Sequence, residues 1–534
     1  MKKPGKKRLN RFALTVPFLP LVLSAALLGG CKPTPPPATP AKLPLILGME
    51  YALPGLGPEV AQTRLPGVKF LPEVFGWGKM QPREGGAINF GTLDTLVREY
   101  QDAGFAECMV GLRPDNDWAS VAPNAPLPNT SSAPKPEHVA DFAAWVRAVV
   151  ERYDGDGVAD MPGLKQPVRY YEIGVEFSSY EPEPAADYLA MLETGYHAAH
   201  EAYADAVVMH AAFLVATAFA SNPGPEEYDA AFAAVDKRIM YHSLEDIRAV
   251  LDRPDLFDAV NFHTYSAEVD ATAQWIRYEM GQRGYDKPLV ISDTLPSSFA
   301  GWGPATTCAG APASLAIMVA PATEADRCRL ADYFTKLVNG DRDTLDWLHG
   351  YAAQDMVQLS VMAADQGVAF VNTSYMQDLT GLNAPIFRAA AGNSAWAGMV
   401  DSTINWFTRT HVVTGYRPLF YALRQLANRL DNCTGVQRTA TEDPAIRLYR
   451  VTRAVGSESP DFWIAWHDPG TLLLPGDTVP QATLTLHTTA SSLVVESLIT
   501  QPNQTVPDTQ TVAVQDDTAS IALTPTPVFI LPAT

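Results

Sequence analysis

The chain has 534 residues, of which 47% are hydrophobic and 18% charged, with a formal net charge of −20. That apolar fraction excludes a disordered chain, and 59 acidic against 39 basic residues argue against a nucleic-acid groove or an anionic polymer substrate, so a neutral partner is expected. At about 150 residues per domain the length allows several units, but one closed α/β barrel absorbs about 250 or more, so two domains are expected.

In chain order, Lys2, Lys3, Lys6, Lys7, Arg8 and Arg11 precede an apolar run from Phe12 to Leu28, interrupted at Pro17 and Pro20. A basic start followed by a short apolar run is the pattern of a signal peptide. The run ends in Leu28-Gly29-Gly30-Cys31, which resembles the lipobox of bacterial lipoproteins. The resemblance implies cleavage before Cys31 and a lipid on its thiol. Residues 1–30 then form a signal peptide and 31–41, with KPTPPPATPA, a Pro-rich linker. Loss of residues 1–30 removes six positive charges and leaves −26. The expected product is exported to the cell envelope and lipid-anchored, at the outer membrane on its periplasmic side or at the cell surface. Cys108, Cys308, Cys328 and Cys433 remain, an even number suited to an oxidising compartment. Cys308 and Cys328 share one loop-rich stretch and are the expected disulfide, whereas Cys108 lies in an apolar run as a buried thiol.

From residue 43 short apolar runs alternate with amphipathic segments. Strands are expected near 43–49, 67–75, 106–112, 168–175, 206–212, 258–263, 288–293 and 367–372. Between them Leu93, Leu96, Val97 and Tyr100, then Phe142, Val146, Val149 and Tyr153, then Leu189, Leu192 and Tyr196 recur at helical spacing. Eight strands with intervening helices predict a (β/α)8 TIM barrel over 42–432, its largest insertion at 300–357 and its last helix at 416–430. Residues 438–534 lack a helical period and alternate as in ATLTLHTT, SLVVESLI and TVAVQ, which predicts a small C-terminal antiparallel β-sandwich whose final segment, TPTPVFILPAT, is an edge strand.

In such a barrel the chemistry sits at strand C-termini. Strand 3 ends in Arg113-Pro114-Asp115, strand 4 in Glu172-Ile173-Gly174-Val175-Glu176, strand 6 in Asn261-Phe262-His263-Thr264-Tyr265, strand 7 in Ser292-Asp293, and strand 8 in Asn372 with Tyr375 beyond. Glu176 and Asp293 therefore face each other across the mouth, and Glu50 and Glu268 are further acids able to reach the gap. His263, Tyr265 and Arg113 are expected to line the site, and Trp77, Trp118 and Trp302 are candidate platforms for apolar sugar faces.

These motifs resemble a large clan of retaining glycoside hydrolases on the (β/α)8 barrel. YYEIGVEF is similar to the clan's Y-E-I-x-N-E stretch, which puts Glu176 on the acid/base position. NFHTY is similar to the H-x-Y end of strand 6, and VFGWGKMQPREGGAINFGTLD to the strand 2 to strand 3 region. The resemblance covers most of 45–430. It implies that one carboxyl protonates the leaving oxygen while an ionised one attacks the anomeric carbon, about 5–5.5 Å away in retaining enzymes and about 6.5–9.5 Å in inverting ones. Val175 stands where the clan has Asn, and Asp293 where it has the Glu nucleophile.

The resulting expectation is an exported lipoprotein hydrolysing O-glycosidic bonds of a neutral oligo- or polysaccharide, with Glu176 and Asp293 catalytic. The alternative is a catalytically impaired carbohydrate-binding lipoprotein on the same fold, and the two departures separate them. No cofactor is expected to be required. Asp154, Asp156 and Asp160 have the D-x-D-G-x-x-D spacing of calcium loops, yet Arg152 and Gly163 replace ligands of that pattern, so a structural calcium competes with a plain Asp/Gly turn.

Overall fold

The computed structural model describes residues 45–534 except 71, 122–131, 179–180, 182, 216–217, 220, 235–241, 297–323, 379–391, 406, 455–458 and 534. Cys31, Cys308 and Trp302 lie outside the described residues. Eight parallel strands close into a barrel in sequence order: β1 (Ile46–Ala52), β2 (Gly67–Phe70), β3 (Glu107–Leu112), β4 (Tyr170–Glu176), β5 (Val207–Leu214), β6 (Val260–Thr264), β7 (Leu289–Thr294) and β8 (Val368–Tyr375). All eight predicted strands are present. Parallel strands covered by helices read as apolar runs because both faces are buried, and this made them legible.

The helices pack by the predicted stripes. Leu93, Leu96, Val97 and Tyr100 of the helix Gly91–Ala103 are fully buried, as are Phe142, Val146 and Val149 of Val139–Glu151. Inside the barrel the side chains change character from floor to rim. Met109, Met209, Ala259, Val290 and Phe370 form an apolar floor. Phe370 fits there because Gly48 and Gly67 face it without side chains; a Cβ on either would lie 2.7 Å from its ring. Above the floor lies a polar layer of Lys69, Glu172, Asn261, Ser292 and Asn372, all buried, which supports the rim.

After β7 the described chain resumes in the helix Glu324–Val338, followed by the long helix Arg342–Asp365. The first packs Leu330, Tyr333, Phe334 and Leu337 against Leu348 and Trp396. Between β8 and the last barrel helix, Pro418–Leu430, lies an antiparallel hairpin that the sequence reading did not anticipate, β9 (Val400–Asn405) with β10 (Thr410–Tyr416). Arg417 ties it down through ion pairs to Asp378 and Asp401.

The C-terminal sheet begins at Cys433, earlier than the expected 438. It runs in the order β11 (Cys433–Thr439), β12 (Ile446–Arg453), β13 (Phe462–His467), β18 (Val528–Pro532), β15 (Ser492–Ser497), β16 (Thr509–Ala513). A second sheet of β14 (Ala482–His487) and β17 (Thr518–Leu523) covers one face, burying Leu484, Leu486, Ile521 and Leu523 against Leu448, Leu493 and Ile530. The other face, with Tyr449, Phe462, Ile464 and Phe529, joins the barrel core. Gln425 of the last barrel helix donates to Glu496 Oε1 at 2.7 Å, and Arg429 pairs with the same carboxylate.

The expectation of an edge strand at TPTPVFILPAT is corrected: β18 lies between β13 and β15. Pro525 and Pro527 precede the strand and Pro532 is its last residue, so the missing N–H groups do not interrupt the ladder. Cys108 and Cys433 are free thiols, while Cys328 is disulfide-bonded. Among the described residues no helix is long and apolar enough to cross a membrane.

Candidate active site

Glu176 ends β4 and His263 lies near the end of β6; both are buried, and Glu176 Oε2 is 2.6 Å from His263 Nδ1. His263 Nε2 lies 3.1 Å from Ser292 Oγ, which donates to Glu172 Oε1 at 3.3 Å. Glu172 also accepts from Asn261 Nδ2 at 2.8 Å and pairs with Lys69 at 2.9 Å. Lys69 reaches Glu50 at 3.5 Å, and the Glu50 carboxyl hydrogen-bonds that of the half-buried Asp293. One continuous polar chain therefore joins Glu176 to Asp293 across the barrel interior.

The direction of these bonds fixes where protons reside. The Ser292 hydroxyl gives its single proton to Glu172, so it must accept from His263, and Nε2 is protonated. Nδ1 and Glu176 Oε2 then hold one proton between them, as an imidazolium–carboxylate or a neutral imidazole with a protonated Glu176. Burial pulls the His263 pKa down, but Glu176 and then Asp293 outweigh it and hold the ring above its ordinary value. Burial pulls Lys69 down as well, and Glu172, Glu50 and Asp293 raise it further, so it stays a cation.

A pH dependence follows. A raised histidine stabilises the fold fully below its unfolded pKa of about 6.5, and that contribution is lost as pH rises through the higher folded value. The stability difference between wild type and His263→Gln is expected to be largest in mild acid and to shrink as pH rises above neutrality. Urea unfolding across pH checks this, and a difference that grows with pH contradicts it.

Local backbone irregularities aim these groups inward. The β4–β5 register shifts between Ile173 and Glu176, where Gly174 has φ +90° and a Cβ would lie 2.9 Å from both Ala211 Cβ and Glu181 Oε1. Glu181 accepts the Val175 N–H at 2.8 Å and fastens this bulge. On β1 the register shifts at Met49/Glu50, and Tyr51 takes φ 59°, a costly conformation for a bulky residue, with its ring edge-on to Tyr375 at 4.3 Å. The β6–β7 register shifts just before His263 and Asp293, which lie side by side. Bulges at barrel rims re-aim side chains in this way.

The other expected site residues have varied places. Tyr265 follows β6 on the same rim, half-buried. Arg113 pairs with Asp115 at 2.8 Å and Glu73 at 3.2 Å rather than with the Glu176 or Asp293 carboxylates. The expectation for Trp77 is corrected: it is fully buried, stacked on Trp145 at 6.0 Å, and presents no face to a ligand. Trp118 packs edge-on against Trp77 and His138, and its indole N–H is taken by the Gln81 carbonyl, so its ring serves the β3 loop. In the Asp/Gly loop, Asp160 accepts from the Gly155 and Gly157 amides, as a tight turn requires. Asp154 and Asp156 converge with Glu151 instead, and Asp160 does not join them.

Lys69 and the pairing of Glu50 with Asp293 escaped the sequence reading. The available signal was a lone lysine in the fully buried strand GVKF, where alternation turns residue 69 toward the interior. A cavity of about 1160 Å³ opens elsewhere, between the helices Val269–Gln282 and Arg342–Asp365 and the β-domain loops; Glu50, Glu176, His263 and Asp293 do not line it.

The sequence matches no protein-family model and no curated protein. Solved structures do match its fold. A family 39 glycoside hydrolase from Bacteroides cellulosilyticus aligns with TM-score 0.54 at 12% identity, over 92% of this chain and 82% of that one. A glucosidase from Croceicoccus marinus aligns with TM-score 0.51 at 11% identity, over 92% and 96%. A family 30 endoxylanase from Clostridium papyrosolvens aligns with TM-score 0.50 at 10% identity, over 91% and 96%. The closed eight-stranded barrel with its C-terminal β-sandwich is thus an architecture this chain shares with glycoside hydrolases of families 39 and 30.

Proposed function

We propose that this protein is an exported, lipid-anchored glycoside hydrolase acting on a neutral oligo- or polysaccharide. Glu176 delivers a proton to the leaving oxygen, and Asp293 supplies the second carboxylate. The observation that carries the reading is the single proton held between Glu176 Oε2 and His263 Nδ1 at 2.6 Å, linked through Ser292, Glu172, Lys69 and Glu50 to Asp293. A general acid needs a proton stored where the leaving group departs, and a carboxyl backed by a histidine stores one. Glycosidic cleavage then needs a second carboxyl facing it, which the fold's strand 7 provides. The likeness to glycoside hydrolases supports the same reading.

Anchoring rests on the Leu28-Gly29-Gly30-Cys31 motif and the acidic mature chain. Metabolic labelling with a fatty-acid analogue tests it: label is expected on wild type and absent from Cys31→Ser.

Turnover is tested with a panel of α- and β-linked aryl glycosides of neutral sugars and with neutral oligosaccharides. Wild type is expected to release product from at least one. A rate equal to buffer throughout, with sugar binding retained, would favour the carbohydrate-binding alternative, for which Val175, an apolar side chain at the clan's Asn position, is the specific argument.

A further inference from the structure

Glu50 is not part of the two-carboxylate scheme, yet it is buried at the rim end of β1 and in contact with Asp293. The placement is built: a register shift and the left-handed Tyr51 bring it there, and Lys69 holds it from below. Glu50 Oε2 and Asp293 Oδ1 are each buried with no hydrogen-bond donor, although Lys69 serves the pair from one side. Two carboxylates in contact cannot both be ionised in a buried setting, and one proton between them satisfies the contact.

We propose that Glu50 and Asp293 act as one dyad that carries a single proton at neutral pH and serves as the base that activates water, so that hydrolysis inverts the anomeric centre. The proposal rests on the glycosidase reading of this site and adds a catalytic residue and a stereochemical outcome to it. Asp293 is one methylene shorter than the clan's glutamate, which withdraws it from the anomeric carbon and leaves room for a water molecule. In the reaction the water oxygen forms the new bond to the anomeric carbon and its proton passes to the dyad. The bond to the leaving oxygen breaks with its electron pair on that oxygen, which takes the proton from Glu176. The dyad then returns its extra proton to solvent, and Glu176 regains one with His263.

The groups facing the dyad agree with one proton. Lys69 lies beneath it, Glu172 beyond Lys69, and His263 beside Asp293, while Tyr51 and Tyr375 wall it at the rim. Burial, then the Asp293 charge, raises the Glu50 pKa well above the ordinary carboxylate range, which places the proton on Glu50 and the charge on Asp293.

Infrared difference spectroscopy of the folded protein at neutral pH tests the dyad without any substrate. Wild type minus Glu50→Gln is expected to show the carbonyl stretch of one protonated carboxyl, and so is wild type minus Asp293→Asn, because Glu50 then ionises against Lys69. Absence of that band from both differences overturns the dyad. Early-time proton NMR of an aryl glycoside reaction gives the stereochemistry: inversion is expected, and retention overturns the base role. If Glu176→Gln is as active as wild type, the glycosidase reading fails while the infrared result still decides the dyad.

Discussion

Replacing Glu176 with Gln is expected to lower kcat by about 10²–10⁴-fold, the range that a positioned general acid contributes. Gln keeps the length of the side chain and can still accept from His263 Nδ1 through its amide oxygen, so the fold and the strand 4 bulge are retained. What is lost is the proton that Glu176 and His263 hold between them across 2.6 Å. KM is expected to change little, because the proton is transferred in the transition state and does not anchor the ground state. Steady-state kinetics on the best glycoside of the panel measures both parameters. Equal kcat in the two proteins would remove Glu176 from the mechanism.

The largest stability effect is expected at Lys69. Its side chain is 3% exposed, and it is the cation for Glu172 at 2.9 Å and Glu50 at 3.5 Å, with Asp293 adding to its field. Lys69→Met fits the space but leaves buried acids without a counter-charge. Removing one partner of a buried pair costs about 3–5 kcal/mol, far more than an exposed pair. Urea unfolding of Lys69→Met is expected to show a loss of that size. Adding Glu172→Gln is expected to recover part of it, since one uncompensated charge is then gone. A loss below about 1 kcal/mol, as for a surface pair, would mean that the interior is hydrated and that the chain of contacts from Glu176 to Asp293 is not a fixed network.

The barrel was legible because its strands are apolar on both faces and its helices carry clean stripes, as in Leu93, Leu96, Val97 and Tyr100. The hairpin β9–β10 was not, because it lies on the outside with Ser402 to Asn405 largely exposed and offers no buried face for a pattern to mark. The prolines of TPTPVFILPAT suggested an edge, but they flank the paired residues, so the strand pairs on both sides. At the site, Glu176, His263 and Asp293 were readable as polar residues at strand ends. Trp77 was misjudged because exposure cannot be read from type: its short helix, Trp77–Met80, tucks the ring under Trp118 and beside Trp145. Lys69 and Glu50 were harder still, since their significance lies in contacts between β1, β2, β4 and β7 that only barrel closure creates.

The claim that Glu176 is the proton donor of a glycosidase is tested most directly by the leaving-group dependence of kcat/KM. Aryl glycosides of one sugar, graded from acidic to weakly acidic phenols, are compared in wild type and Glu176→Gln. The ratio of wild type to variant is predicted to rise steadily as the phenol becomes less acidic, because a poorer leaving group depends more on the donated proton. A ratio that stays flat across the series would contradict the account.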